Sequence, residues 1–159
     1  MSAVITRERP DTPDAVSLIT ELETHLASRY PAESRHGFSV ERLLAEDVAF
    51  FLLRADGAPA ACGGIKLIGQ EYGELKRMYV RPQFRGLGFG KLVLAELEAH
   101  ARAHHIPLLR LETGVQQQEA IGLYEGWGFY RIPPFGLYTD DPLSRCYEKR
   151  LIPPSRDAV

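Results

Sequence analysis

The segment Val80-Arg81-Pro82-Gln83-Phe84-Arg85-Gly86-Leu87-Gly88-Phe89-Gly90-Lys91 concentrates the residue types that could do chemistry. A strand-like run ends at Arg81-Pro82, glycines then occupy alternate positions, and a helical pattern starts at Phe89. Glycines permit backbone angles closed to other residues, so successive N–H groups can converge on one concavity. At a helix N-terminus such a concavity favours an anion, and Arg85 and Lys91 add positive charge. The expected guest is a phosphate or pyrophosphate. A dinucleotide fingerprint would need G-x-G-x-x-G early in a βαβ unit, and a P-loop would need G-K-[ST] after a four-residue spacer. The spacing G-x-G-x-G followed by Lys91-Leu92 meets neither.

Other reactive side chains form no such constellation. Cys62 and Cys146 lie far apart, without a CxxC or metal-ligand pattern, and read as small buried residues. His104 and His105 are adjacent and diverge on a helix, so no metal site is expected. Nineteen Lys plus Arg against 21 Asp plus Glu leave a net charge of −2, which argues against a nucleic-acid binder. No apolar run is long enough to span a membrane, and the first residues lack the apolar core of a secretory signal. With no disulfide pattern, a cytoplasmic protein is expected.

The elements that must position the loop follow from hydrophobic period. Ala3 to Glu8 alternates weakly as a first strand. Asp11-Thr12-Pro13-Asp14 starts a helix with Val16, Ile19, Leu22, Leu26 and Ala27 at helical spacing. After the polar stretch Pro31 to Gly37, Ser39 caps a short helix over Val40 to Ala45, with Arg42 where a capping box needs Glu or Gln. Asp47 to Arg54, Ala58 to Ile68 and Glu71 to Val80 read as strands. Asp56-Gly57 supplies a hairpin turn, and Gly63-Gly64 marks a bulge or a close backbone approach. Phe89 to His105 is an amphipathic helix with Phe89, Val93, Leu97 and Ala101 in one row. Leu108 to Thr113 is a strand, Gln118 to Trp127 a helix, and Phe129 to Ile132 and Ser144 to Leu151 are strands. This order predicts one α/β (α+β) domain over 1–152, built on a mixed, largely antiparallel sheet with one strand–helix–strand crossover. Residues 153–159 are expected to be a flexible tail.

Against that frame, Arg85-Gly86-Leu87-Gly88-Phe89-Gly90 resembles the R/Q-x-x-G-x-G/A signature of the GNAT superfamily of N-acetyltransferases. Ala120-Ile121-Gly122-Leu123-Tyr124-Glu125-Gly126-Trp127-Gly128-Phe129 is similar to that family's A-x-x-L-Y-x-x-x-G-F segment, and Glu74 to Val80 looks like its run into the loop. The resemblance covers roughly residues 47 to 151, with 1 to 46 matching in helix order alone. It implies a sheet whose central parallel pair, here Glu74 to Val80 and Leu108 to Thr113, splays apart, with helices on both faces. It also implies acetyl-CoA as co-substrate, its pyrophosphate on Arg85, Gly86, Leu87, Gly88, Phe89, Gly90 and Lys91, and its arm along the backbone of Met78, Tyr79 and Val80. Where the family often carries Asn, seven residues before the tyrosine, this chain has Gln117, a longer amide directed at the same arm.

Acyl transfer to an amine needs a base for the ammonium, donors for the oxyanion, and an acid for the departing thiolate. The resemblance implies direct attack without an acyl-enzyme. Tyr124 is assigned as general acid, because a phenol is well matched to a thiolate leaving group. Glu74 is assigned as base from its place on the strand, with Glu71, Glu112 and Tyr72 less supported and water a further route. The resemblance also implies acceptor recognition in Tyr30 to Phe38 and Ile132 to Asp141, with Arg35, His36 and Arg77 offered to a carboxylate and Phe135 and Tyr138 as an aromatic lip stiffened by Pro133-Pro134. The expected acceptor is a small, amino-acid-like amine. A protein N-terminal or lysine acetyltransferase and a non-catalytic acyl-CoA-binding module are the alternatives, and a homodimer is left open.

Overall fold

The computed structural model describes residues 1–151. The expected tail at 153–159 and the boundary at 152 lie outside the described residues. Seven strands form one sheet in the order β1-β2-β3-β4-β5-β7-β6. They are β1 (Ala3–Glu8), β2 (Ala49–Ala55), β3 (Ala58–Ile68), β4 (Tyr72–Val80), β5 (Leu108–Gly114), β6 (Tyr130–Ile132) and β7 (Ser144–Arg150). Among the described strands, only β4 and β5 pair in parallel. The helices are α1 (Pro13–Ala27), α2 (Val40–Ala45), α3 (Phe89–Ala103) and α4 (Gln118–Gly126).

Two apolar clusters cover the two sheet faces. On one, Phe89, Val93, Leu94, Leu97 and Ala101 of α3, with Ile121 and Tyr124 of α4, pack on Phe51, Ile65, Leu75, Leu109 and Leu111. Complete burial of each Val, Leu or Phe there contributes about 1.5–3 kcal/mol. On the other, Ala15, Leu18 and Ile19 of α1 and Leu43 of α2 meet Phe50, Leu52 and Cys62. The buried stripe of α1 is Ala15–Leu18–Ile19–Leu22, and Val16 stays 38% exposed, so the stripe is rotated from the expected register. Helical spacing alone left two faces open, and contact with the sheet selects the one with the smaller Ala15. Ser39 does cap α2, accepting from the Arg42 N–H (3.1 Å), while Arg42 turns to Glu46 rather than closing a capping box.

Two irregularities of β4 shape the site. Cys62 pairs with Tyr79 and Gly64 with Lys76, so the extra residue of the bulge belongs to β4 and not to the glycines of β3. Arg77 sits there with φ +57°, a region that costs an L residue roughly 1–2 kcal/mol. Its Nε–H donates to the Phe38 carbonyl (3.0 Å), its guanidinium pairs with Glu23, and the Cys62 thiol donates to its carbonyl (3.3 Å). Gly63 provides the close approach: a Cβ there would lie 2.6 Å from Met78 Sδ and 2.8 Å from Val93 Cγ1. The second irregularity is the length of the parallel pairing. It runs only through Gly73–Leu109 and Glu74–Arg110, after which β4 and β5 part. Beyond that point the β5-facing edge of β4 has no neighbouring strand.

Candidate active site

The glycine loop opens at the end of β4. Gly86 and Gly88 take φ +80° and +83°, and open space surrounds the positions a Cβ would take. Gly88 is the left-handed N-cap of α3, with no side-chain cap. The first backbone bond into α3 is Leu92 N–H to the Gly88 carbonyl (3.2 Å). Among the described residues, none of the backbone N–H groups from Gly86 to Lys91 donates to a protein acceptor. An unsatisfied row of donors at a helix start fits a pyrophosphate by its own chemistry. Phe89 contributes only backbone here, because its side chain is in the core, and Leu87 projects 52% exposed.

A cleft of about 420 Å³ runs from this loop. Met78, Tyr79, Val80, Arg85, Gly88, Gly90, Lys91 and Gln117 line it, as expected residues of the cofactor path. Not foreseen among its other lining residues are Leu22 and His25 of α1 and Arg29, two residues past the end of that helix. The spacing of α1 marks Leu22 only as part of an apolar stripe, and nothing in the spacing of His25 or Arg29 marks them for a cleft. Arg85 donates to the Val80 carbonyl (3.1 Å) and faces Glu119 at 3.6 Å.

The cleft adjoins a smaller chamber of about 110 Å³. Leu22, Met78, Gln117, Ala120 and Tyr124 line both, so they form the wall between them. Tyr124 is buried on α4, edge-on to Phe129 at 5.7 Å, and its hydroxyl has no hydrogen-bond partner among the described residues. Burial, and then the charge of Glu112, push its phenol pKa upward, so it holds its proton at any working pH. Gln117 precedes α4 without capping it, its side-chain oxygen 3.5 Å from the Tyr30 hydroxyl. Tyr30 also accepts from the Gln116 N–H (2.8 Å), and its ring occupies the space above Gly114, where a Cβ would lie 2.2 Å away.

The carboxylate of this chamber is Glu112, not Glu74. Glu112 lies on β5 two residues past the last β4–β5 pair, inside the splay. It accepts from Ser144 Oγ–H (2.6 Å), and His36 Nε2 is 3.8 Å away. Burial raises its pKa above the ordinary glutamate value, against the opposing pull of Ser144, His36 and Lys76. Glu74 lies where the strands are still paired. Its carboxylate is held by Lys76 (2.7 Å) and accepts from the Tyr138 hydroxyl (2.6 Å), which in turn accepts from Lys76 (3.0 Å). A carboxylate so engaged, in the neighbouring cleft, is poorly placed to take a proton at the chamber.

The acceptor-side residues separate likewise. Arg35, His36 and Tyr138 line the chamber, and the His36 ring stands edge-on to Tyr138 at 5.1 Å. Arg77 reaches the same wall, but its guanidinium is committed to Glu23 and Phe38, and burial pushes its pKa down to about 10. Phe135 is buried against Tyr72 and Tyr138, so it supports the aromatic lip from behind. Burial pushes the Cys62 thiol up to about 12 and that of Cys146 up to about 11, which removes both as nucleophiles at neutral pH. Among the described residues no group of three or more His, Cys, Asp or Glu could hold a metal, and no helix is long and apolar enough to cross a membrane.

A splayed parallel pair, a donor-rich glycine loop and a tyrosine at the junction of two cavities define an N-acyltransferase of the acyl-CoA-dependent kind. The chain belongs to the acetyltransferase (GNAT) family, whose model matches residues 15–129. It is 42% identical over 151 residues to an IAA acetyltransferase of Azospirillum brasilense, covering 94% of this chain and 99% of the relative. A Klebsiella pneumoniae protein classed with the acyl-CoA N-acyltransferases superposes with a TM-score of 0.79 at 34% identity, over 94% of this chain and 98% of its own. The PaiA N-acetyltransferase of Thermoplasma acidophilum, solved with coenzyme A, shares the fold with a TM-score of 0.76 at 24% identity, over 94% and 99%. The chain is thus an acyltransferase of a family that uses acetyl-CoA.

A charge placed in the loop tests the pyrophosphate site. Gly88→Glu sets a carboxylate among donors meant for an anion. Losing two charge-assisted hydrogen bonds of about 1.5–3 kcal/mol each should weaken acetyl-CoA binding by roughly 10²-fold or more. Gly88→Ala carries the same left-handed strain without the charge and should lose much less. Calorimetric titration of both variants, with Tm as a check on folding, separates the two effects; equal affinities for Gly88→Glu and wild type would remove the loop from the site.

Proposed function

We propose that the protein transfers the acetyl group of acetyl-CoA to the primary amine of a small molecule by direct attack. One observation carries this reading: Glu112 and Tyr124 face a single chamber that adjoins the glycine-loop cleft. The two side chains come from elements on different layers, and the gap between β4 and β5 lets them approach. Acetyl-CoA supplies the reacting carbonyl and the thiolate leaving group. Glu112, fixed by Ser144, takes a proton from the incoming ammonium, helped by a pKa raised toward working pH. The free edge of β4 at Met78 to Val80 presents backbone donors to the carbonyl. Tyr124 holds a proton ready for the sulfur on the other side of the chamber.

A small acceptor is supported by the size of the chamber and by the naming of a relative as an IAA acetyltransferase. Tyr30, His36 and Tyr138 crowd the chamber where an extended peptide would have to pass. The two buried free thiols suit a reducing, cytoplasmic setting. An acceptor screen reading thiol release from acetyl-CoA tests the proposal. Small amines should be turned over well ahead of lysine-rich peptides and protein N-termini; the reverse order would make this a protein acetyltransferase.

A further inference from the structure

We propose that Arg35 receives a carboxylate of the acceptor, so that the substrate is an amine-bearing acid with an apolar or aromatic body rather than a simple cationic amine. This rests on the small-amine reading above and narrows it. The strongest observation is an orphaned donor. Arg35 Nε is fully buried with no hydrogen-bond partner, and Arg35 joins no ion pair among the described residues. Every other arginine or lysine of this wall has a carboxylate: Arg42 and Lys66 share Glu46, Lys76 has Glu74, and Arg77 has Glu23. A guanidinium is a planar fork suited to bidentate carboxylate binding, and this half-buried one has no carboxylate of its own among the described residues.

Position adds a second argument. Arg35 and His36 line both the reaction chamber and a further cleft of about 380 Å³. An acceptor with its amine at Glu112 can therefore place an acid group on Arg35 and its body in that cleft. Phe38, Tyr72 and Tyr138 supply apolar wall there, with the Lys76 ammonium 4.3 Å above the Phe38 ring. Charge gives a third argument. Arg35, Arg42, Lys66 and Lys76 line this cleft, whereas Glu74 is its one lining carboxylate among the described residues. Glu46 offsets one further charge from behind. A simple ammonium meets net repulsion on this path, and an acceptor that also carries a carboxylate does not. The same positive field favours the neutral, nucleophilic form of the bound amine.

Matched probes test the inference. Free amino acids are compared with their decarboxylated amines, led by phenylalanine and phenethylamine, using thiol release at saturating acetyl-CoA for wild type, Arg35→Gln and Arg35→Lys. The same probes are titrated calorimetrically into CoA-loaded Tyr124→Phe protein, with and without Arg35→Gln, so that binding is read without turnover. At least one amino acid should exceed its amine by roughly 10-fold or more in kcat/KM and in affinity. The ratio should collapse toward one in Arg35→Gln through KM rather than kcat, recover partly in Arg35→Lys, and leave acetyl-CoA affinity unchanged. The proposal is overturned if no amino acid exceeds its amine, in turnover or in binding, or if the ratio survives Arg35→Gln. Turnover of amines without carboxylate preference would leave the proposed function standing and remove Arg35 from recognition. Carboxylate-dependent binding without any thiol release would keep the Arg35 site and overturn the proposed function.

Discussion

Tyr124→Phe should lower kcat by roughly 10²–10⁴-fold, the usual contribution of a positioned general acid, with the acetyl-CoA Kd near its wild-type value. The substitution keeps the ring that packs on Phe129 and removes only the hydroxyl. That hydroxyl makes no protein hydrogen bond among the described residues, so its loss should not disturb the fold, and Tm should change little. Burial and the nearby Glu112 hold the phenol protonated, which suits a donor that must keep its proton until negative charge develops on sulfur. A leaving group of lower basicity needs less protonation, so an acetyl thioester of a more acidic thiol should partly recover the rate of Tyr124→Phe. Steady-state kinetics beside a calorimetric Kd measures both halves, and a kcat within a few-fold of wild type would return Tyr124 to a packing role.

Glu112→Gln should reduce kcat/KM by a similar roughly 10²–10⁴-fold while protecting the fold. Its pKa is raised in the folded state, chiefly by burial. The stability gained from holding a proton is therefore full below the unfolded pKa and lost as pH rises through the raised folded value. At neutral pH the ionised carboxylate burdens the fold. Gln removes that charge and still accepts from Ser144, so Tm at neutral pH should be equal or higher in the variant. Lost activity with retained or improved stability is the expected pattern for a functional buried carboxylate, and a lowered Tm with intact turnover would contradict it.

The parts of this site that are local in the chain were legible in the sequence. The glycine loop, its helix and Tyr124 lie within short stretches whose spacing carries their meaning, and α3 buries the row expected of it. The Asp56-Gly57 turn, both residues at positive φ, is another such case. What remained hidden depends on pairing across the sheet. Glu74 and Glu112 are both strand carboxylates, and only the end of the β4–β5 ladder at Glu74–Arg110 shows which lies in the gap. Alternation on β5 does turn Glu112 away from the buried Leu109, Leu111 and Thr113, but not toward any named partner. Gly63-Gly64 signalled a bulge or a close approach; Gly63 makes the close approach, while the extra residue of the bulge lies across the ladder at β4, because strand spacing is set by both partners. His25 on α1 and Arg29 just past its end reach the cofactor cleft only through the docking of α1, which no spacing within the helix encodes.

The most direct test of the chamber is the pH dependence of kcat/KM for wild type, Glu112→Gln and Glu74→Gln, followed by thiol release with one acceptor. The acidic limb of this profile reports the base of the free enzyme, which must be ionised to accept a proton. With Glu112 in that role, the wild-type limb lies above the ordinary glutamate range, vanishes in Glu112→Gln and persists in Glu74→Gln. A limb that survives in Glu112→Gln and disappears in Glu74→Gln would contradict the account and move the base to the paired end of the strands.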